Sequence, residues 1–197
     1  MNPILTKLGV PPGVQAFFNV GELLFNYGGH FEHFGIGFHR VPTTTNLYVA
    51  GGEVTKELLI ASSVMEAVAF LTLAGHCYPN LNDLSVIAIG NLPYPGQLNW
   101  IKSRWQKGKI TMVFGKDILG RLTDIKVAAG IRNKVVRLSM RGNRIDIEYN
   151  HIHYQFDQDS LSLNRFEKSA GLRSGIRTCK PKKFDSFLDQ LKHDTNQ

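Results

Sequence analysis

Three short apolar runs, each followed by a segment with helical spacing, constrain the fold of this chain most strongly. They are ELLIAS (57–62), LSVIAIG (84–90) and ITMVFG (110–115), and each is bounded by a glycine or a serine. Strands that are apolar along almost their whole length are typical of a parallel sheet covered on both faces. Strand–helix alternation of this kind predicts an α/β fold with a mainly parallel, Rossmann-like sheet and helices on both of its faces.

The segments between these runs carry the end signals of helices. SSVMEAVAFLTLAG (62–75) begins with serines that can cap a helix, has Glu66 near the third helical position and ends at a glycine. QLNWIKSRWQKG (97–108) and ILGRLTDIKVAAGI (118–131) place apolar side chains at helical spacing. NLYVAG (46–51) and VVRLSM (135–140) are predicted as further strands.

The two ends of the chain differ from this core. Residues 1–45 are rich in glycine and phenylalanine, and FEHFGIGFHRVP (31–42) alternates loosely, which predicts short strands joined by glycine turns. RIDIEYNHIHYQFD (144–157) predicts an antiparallel hairpin, and helices are expected within 159–172 and 184–192. We therefore divide the chain into a β-rich lead-in (1–45), an α/β core (46–140) and a basic hairpin-plus-helix extension packed on the core (141–197).

Charge is distributed unevenly. The chain of 197 residues has a formal net charge of +7, but residues 1–101 hold three basic and six acidic residues, whereas residues 102–197 hold 20 basic and 10 acidic ones. An excess sustained over half the chain favours a polyanion partner, the alternative being solvated helix faces that happen to be basic. The candidate nucleic-acid-binding residues are Lys102, Arg104, Lys107, Arg137, Arg141, Arg144, Arg173 and Arg177.

Several classes of protein are disfavoured by composition. Two cysteines are not expected to form a disulfide framework or a four-ligand zinc site, and the segment MNPILTKLGVPPGVQ (1–15) does not predict a signal peptide. The longest apolar stretch, residues 58–75, carries Glu66 in its middle, so it does not predict a membrane span. Glycine motifs of dinucleotide and P-loop proteins are absent from the sequence, and its histidines lack the spacing of a zinc site. A cytoplasmic protein without a membrane partner is expected.

Ligands of open α/β sheets bind beyond the carboxyl ends of the strands. Three such ends are Ser62–Ser63, Gly90–Asn91 and the segment Gly115–Asp117. A ligand site is therefore predicted at these loops.

LLIASSVMEAVAFL (58–71) and ITMVFGKDILGR (110–121) resemble the Toprim domain of primases, topoisomerases and mobile-element replication proteins. The resemblance covers about residues 46–140. In that family the first strand ends in a catalytic Glu, followed by a small residue and by an acid one turn into the helix. Ser62 stands at the position of the Glu, Ser63 matches the small residue and Glu66 matches the helix acid.

The later Toprim strand ends in Asp-x-Asp, with a glycine soon after. Gly115, Lys116 and Asp117 occupy these places, and Gly120 matches the glycine, so the first Asp is missing. The resemblance implies a Mg²⁺ site, but only Glu66 and Asp117 remain as residual catalytic residues, with Asp117 as the metal ligand. Because Mg²⁺ needs several oxygen ligands, a protein of this kind is expected to have lost its chemistry, and no cofactor is expected unless Mg²⁺ supports a residual activity.

The sequence thus predicts a catalytically degenerate Toprim-like domain that binds nucleic acid, such as single-stranded DNA, together with replication or mobilisation proteins of a mobile element. One alternative is a weak Mg²⁺-dependent phosphodiester or nucleotidyl-transfer enzyme that uses Glu66 and Asp117, with help from a lead-in acid such as Glu22 or Glu32. Another is a protein-interaction module that docks through its aromatic N-terminal segment. Glu66 and Asp117 also have purely structural explanations, as a helix N-terminal acid and as a helix cap.

Overall fold

A computed structural model describes residues 1–52, 55–105 and 108–195, which form seven α-helices and eleven strands. The lead-in contains α1 (Pro3–Lys7), α2 (Pro12–Phe17), β1 (Leu24–Asn26), β2 (Phe31–Gly35) and β3 (Phe38–Arg40). The core contains β4 (Tyr48–Gly51), β5 (Glu57–Ala61), α3 (Val64–Leu73), β6 (Leu84–Ala88), α4 (Pro95–Arg104), β7 (Lys109–Val113) and α5 (Ile118–Ile131). There follow β8 (Val136–Arg141), β9 (Arg144–Tyr149), β10 (Ile152–Asp157), α6 (Leu163–Ala170), β11 (Arg177–Thr178) and α7 (Phe187–Thr195).

The three apolar runs form neighbouring parallel strands in a five-stranded sheet of order β11-β7-β5-β6-β4. Leu59 of β5 is registered between Val86 of β6 and Thr111 of β7. The short β11 extends the parallel arrangement beyond β7, and β4 closes the other edge in the antiparallel direction. The predicted α/β class with parallel central strands is therefore confirmed, with NLYVAG as an antiparallel edge strand.

Both faces of this sheet are covered. Leu59 and Ala61 contribute to a core with α3, α7 and the lead-in, whereas Leu58 and Ile60 contribute to a second core with α4, α5 and α6. Alternate residues of one strand point to opposite faces, so β5 has to be apolar at both sets of positions. This requirement explains why its sequence shows a continuous apolar run.

VVRLSM lies outside the central sheet. Its strand β8 pairs with β9 in a separate antiparallel sheet of order β10-β9-β8. Val136 and Leu138 are half-buried while Arg137 and Ser139 are exposed, an alternation typical of a sheet with one solvated face. The 46–140 boundary of the predicted core thus cuts through this second sheet.

The lead-in is only partly a β structure. Strands β1, β2 and β3 form the predicted antiparallel sheet, but two short helices precede it. Asn2 caps α1 by accepting a hydrogen bond from Ile4 N at 3.0 Å, and Pro3 occupies its first turn. The local signals for these two helix starts are Asn2-Pro3 and Pro11-Pro12, because asparagine is a favoured N-cap and proline is favoured at the first helical position.

The extension has the predicted elements. β9 and β10 form a hairpin whose turn residues, Asn150 and His151, both have positive φ, as a two-residue type I′ turn requires. Helix α7 lies against α3, where the rings of Phe70 and Phe187 meet edge to face at 5.1 Å. No helix within 1–52, 55–105 and 108–195 has the length and apolar character needed to cross a membrane.

Candidate functional site

A cleft of about 490 Å³ opens at the carboxyl ends of β5, β6 and β7. Every motif position except Lys116 contributes to its lining, together with His39 and Asn91 and with residues of the α7 region. The motif positions brought together are Ser62, Ser63, Glu66, Gly115, Asp117 and Gly120. Residues from two distant parts of the sequence thus meet at the edge of the sheet where ligands of α/β proteins bind.

Glu66 is engaged with another helix. Its carboxylate accepts hydrogen bonds from Phe187 N at 2.9 Å and Leu188 N at 3.3 Å, so it satisfies free N–H groups at the start of α7. Burial raises the pKa of Glu66, and these backbone hydrogen bonds oppose the rise. The side chain is 7% exposed, and its two oxygens hold the C-terminal helix on the core.

Asp117 is the N-cap of α5. Its carboxylate accepts a hydrogen bond from Gly120 N at 2.9 Å, which is the structural alternative that the sequence allowed. Gly120 permits this close turn, because a Cβ atom there would collide with Gly115 O. The glycine of the motif therefore has a packing role in this chain.

We expect Asp117→Ala to lower the free energy of unfolding by about 1 kcal/mol, because it removes a helix cap. Asp117→Asn should cost only a few tenths of a kcal/mol, since asparagine caps as well as aspartate does. Urea titrations of both variants check this. Equal losses in the two variants would show that the negative charge, and not the cap, matters at this position.

The two serines of the first motif, Ser62 and Ser63, have different roles. Ser63 is the N-cap of α3, and its hydroxyl accepts a hydrogen bond from Glu66 N at 3.1 Å, which confirms the predicted serine cap. Ser62 is half-buried and lines the cleft. A serine hydroxyl without an activating partner is a poor base at neutral pH.

A lysine lies beside the place of the missing Asp, and it is Lys180 rather than Lys116. Its ammonium group donates to Gly115 O at 2.8 Å and Phe114 O at 3.2 Å. It also forms an ion pair with buried Asp124, with 2.6 Å between Nζ and Oδ2. Lys116 contributes its backbone N–H to Asp185 O at 2.9 Å. A fixed positive charge therefore lies next to the end of β7.

The carboxylate of Glu32, a lead-in residue, contacts the start of α3. The side chain is fully buried and accepts from Val64 N at 2.7 Å, Met65 N at 3.0 Å and Tyr27 Oη at 2.6 Å. His39 Nε2 lies 2.9 Å from Glu32 Oε1, the oxygen that also accepts from Met65 N, and His39 lines the cleft from the lead-in side. Glu32 lies thirty residues before Ser62 in the sequence, so no motif spacing indicates this contact. Glu22, the other lead-in acid named as a possible catalytic helper, is exposed.

The residues present do not fit the Mg²⁺ site that the resemblance implies. Glu66 and Glu32 are bound to backbone N–H groups, and Asp117 caps a helix. Nowhere in the described part of the chain do three or more His, Cys, Asp or Glu side chains gather so that they could hold a metal ion.

The arginines of the antiparallel sheet lie on a face of balanced charge. Strand register places Arg137 opposite Glu148, with 3.3 Å between their charged atoms, and Arg144 opposite Asp157. With Arg141 and Asp146, this solvated face carries three arginines and three acids. The acids of this face thus balance the charge of its arginines, although only Arg137 forms an ion pair within the described residues, and Arg141 is registered opposite Arg144.

The other predicted binding residues are dispersed. Lys102 and Arg104 are exposed at the end of α4, where the Arg104 guanidinium lies 4.8 Å from the ring centre of Trp100. Arg173 is exposed in the segment before β11, and Arg177 is exposed on β11 itself. Lys107 lies outside the described residues.

A second groove, of about 380 Å³, lies between α4 and α5 and carries basic residues that were not among the predicted candidates. Among the described residues that line it, only Lys126 and Lys134 are ionisable, and Asn99 and Asn133 lie beside them. In the described structure neither lysine has an ion-pair partner. Lys126 is exposed on α5, but in the sequence it stands between Ile125 and Val127 and so forms no basic cluster.

Comparison of the chain with protein-family models, with curated proteins and with solved structures gives no match.

Proposed function

We propose that this chain is a nucleic-acid-binding domain of Toprim-like descent that has lost its catalytic carboxylates. The observation that carries the proposal is the α4–α5 groove, where Lys126 and Lys134 line a concave surface and the described lining residues include no acid. Phosphate groups supply the negative charge that such a surface lacks, and asparagine side chains can donate hydrogen bonds to phosphate oxygens.

The basic surface extends from the groove to the end of α5. Arg132 follows the last residue of α5, and its Nε donates to Ser174 O at 2.6 Å. This contact brings Arg173, the exposed neighbour of Ser174, to the same part of the molecule. Glu167 also lies here, with its carboxylate bound to Ser174 N at 2.9 Å. Arg173 is exposed and is available to a polyanion.

Loss of chemistry is supported at the cleft. The carboxylates of Glu66 and Asp117 are both hydrogen-bonded to backbone N–H groups. Lys180 also places its ammonium group on Gly115 O, at the strand end that in the Toprim family carries a metal ligand. A domain with these features is suited to holding a nucleic acid while partner proteins of replication or mobilisation act on it.

Charge reversal in the groove tests the proposal. We expect Lys126→Glu/Lys134→Glu to weaken binding of a labelled single-stranded 20-mer about tenfold or more at 100 mM salt. The salt dependence, as log K against log salt, should become less steep by about 0.7 to 1.4 units, because one or two phosphate contacts to a single strand are lost. Fluorescence anisotropy gives both quantities.

Two further double variants make this test specific. Lys7→Glu/Lys56→Glu changes the net charge equally but in the acidic half, and at 100 mM salt its effect is largely screened. Arg137→Glu/Arg141→Glu alters the balanced face and should have a smaller effect than the groove pair. Equal losses of affinity in all three double variants would show that net charge alone governs binding. A wild-type protein that does not bind the 20-mer would refute the proposed function itself.

A further inference from the structure

The outer face of the lead-in sheet contains a pocket of about 530 Å³. It lies in residues 1–101, which have a net negative charge, so the charge distribution of the sequence does not predict an anion-binding site here. Its lining consists of His30, Phe31, His33, Arg40, Val41, Pro42 and Thr43. The described lining thus combines an aromatic ring, an arginine, two histidines and a hydroxyl group, and it includes no acidic residue.

Strand alternation determines which side chains face this pocket. On β2, Glu32 and Phe34 are buried, whereas Phe31 and His33 are exposed on the outer face. Register places Arg40 of β3 directly opposite His33. The one acid of β2 therefore points inward, where its carboxylate is already bound to α3, and only aromatic and basic groups are left outside.

Phe31 and Arg40 are both available to a ligand. The Phe31 side chain is 42% exposed, and its ring lies 6.4 Å from that of His33 at a tilt of 59°. The Arg40 guanidinium forms no ion pair or hydrogen bond with any of residues 1–52, 55–105 and 108–195. An exposed ring next to an unpaired guanidinium on a sheet surface provides a stacking face and an anion contact within one site.

We propose that this pocket binds one nucleotide unit of a single-stranded nucleic acid, with the base stacked on Phe31 and the phosphate held by Arg40. A base supplies a flat π-face that stacks on an aromatic side chain whatever its identity, and a guanidinium pairs with phosphate oxygens. The volume suits a small organic ligand of this size. Val41 lines both this pocket and the cleft, so the two openings are neighbours.

This inference rests on the proposed function for its macromolecular ligand, but the nucleotide chemistry can be tested separately. The probes are a labelled dT 20-mer, the same strand with abasic sites in place of its bases, and free thymidine monophosphate. We expect Phe31→Ala to weaken binding of the dT strand about tenfold and to leave binding of the abasic strand unchanged. Arg40→Gln should weaken both strands and make the salt dependence less steep by about 0.7.

Phe38→Ala is the matched control, because Phe38 is an exposed ring on the same sheet that does not line the pocket. Thermal melts of the three variants report whether the fold is retained. Normal binding of both strands by Phe31→Ala and Arg40→Gln, with a steep salt dependence, would overturn this inference and leave the proposed function standing. Equal losses in Phe31→Ala and Phe38→Ala would also overturn it, since they would indicate a general apolar surface such as a protein-docking face.

Binding of thymidine monophosphate distinguishes a failure of the proposed function from a failure of both proposals. If the wild-type protein binds no strand but binds thymidine monophosphate in a Phe31-dependent way, the pocket is a nucleotide site and the proposed function fails. If neither strand nor monophosphate binds, both proposals are refuted.

Discussion

Glu32→Ala should lower the free energy of unfolding by about 4 kcal/mol, one of the two largest effects we expect of any side-chain replacement outside the apolar cores. The change leaves Val64 N, Met65 N and the Tyr27 hydroxyl without their acceptor in a site closed to water. Each unsatisfied buried donor costs about 1–3 kcal/mol. Denaturant titration of the variant measures the loss.

Two comparisons identify the cause of that loss. Glu22→Ala removes an exposed acid from the same lead-in and should change stability by no more than about 0.5 kcal/mol. Tyr27→Phe removes a single hydrogen bond to Glu32 and should cost about 1 kcal/mol. A Glu32→Ala protein as stable as Glu22→Ala would contradict the assignment of Glu32 as the group that fastens the lead-in to α3.

Lys180→Met should destabilise the protein by about 3 kcal/mol at pH 7, because it leaves the buried carboxylate of Asp124 without its ion-pair partner. Asp124 is already in an unfavourable position: its Oδ1 has no hydrogen-bond partner among the described residues. Burial raises the pKa of Asp124 to about 6, and Lys180 opposes this rise. Burial likewise lowers the pKa of Lys180.

The loss should depend on pH with a definite sign. Asp124 binds its proton more tightly in the folded than in the unfolded protein, so its stabilising contribution is present below about pH 4 and is lost as the pH rises through about 6. Removal of Lys180 raises the folded-state pKa further. The deficit of Lys180→Met relative to the wild type should therefore be largest at pH 7 and shrink as the pH falls towards 5.

A double variant and an exposed lysine complete this test. Asp124→Asn/Lys180→Met removes both charges and should recover most of the stability at pH 7. Lys182→Met replaces an exposed lysine two positions away and should have little effect. If the double variant were less stable than Lys180→Met, the attribution of the loss to an unpaired carboxylate would be wrong.

Local sequence signals were sufficient for much of the core. Leu58–Ala61 is apolar at every position because both faces of β5 are buried, and this is visible without any knowledge of its neighbours. Ser63 and Asp117 cap the helices that directly follow them. Caps and buried strands depend on residues within a few positions, so a pattern in the chain is enough to predict them.

Contacts between distant segments could not be predicted in this way. Glu66 caps a helix that begins 121 residues later, and Glu32 caps one that begins 32 residues later, so neither spacing follows from a helical or strand period. Arg137 of β8 belongs to a basic run in the sequence but faces Glu148 across the sheet. Register and tertiary packing decide these partners, and a linear pattern of charge contains neither.

The central claim is that the basic half of the chain binds the phosphate backbone of a nucleic acid. It is tested most directly by titrating a labelled dT 20-mer with the wild-type protein between 50 and 300 mM salt. If four to six phosphates are contacted, log K should fall linearly with log salt with a slope of about −3 to −4. Absence of binding at 50 mM salt, or an affinity independent of salt, would contradict the claim.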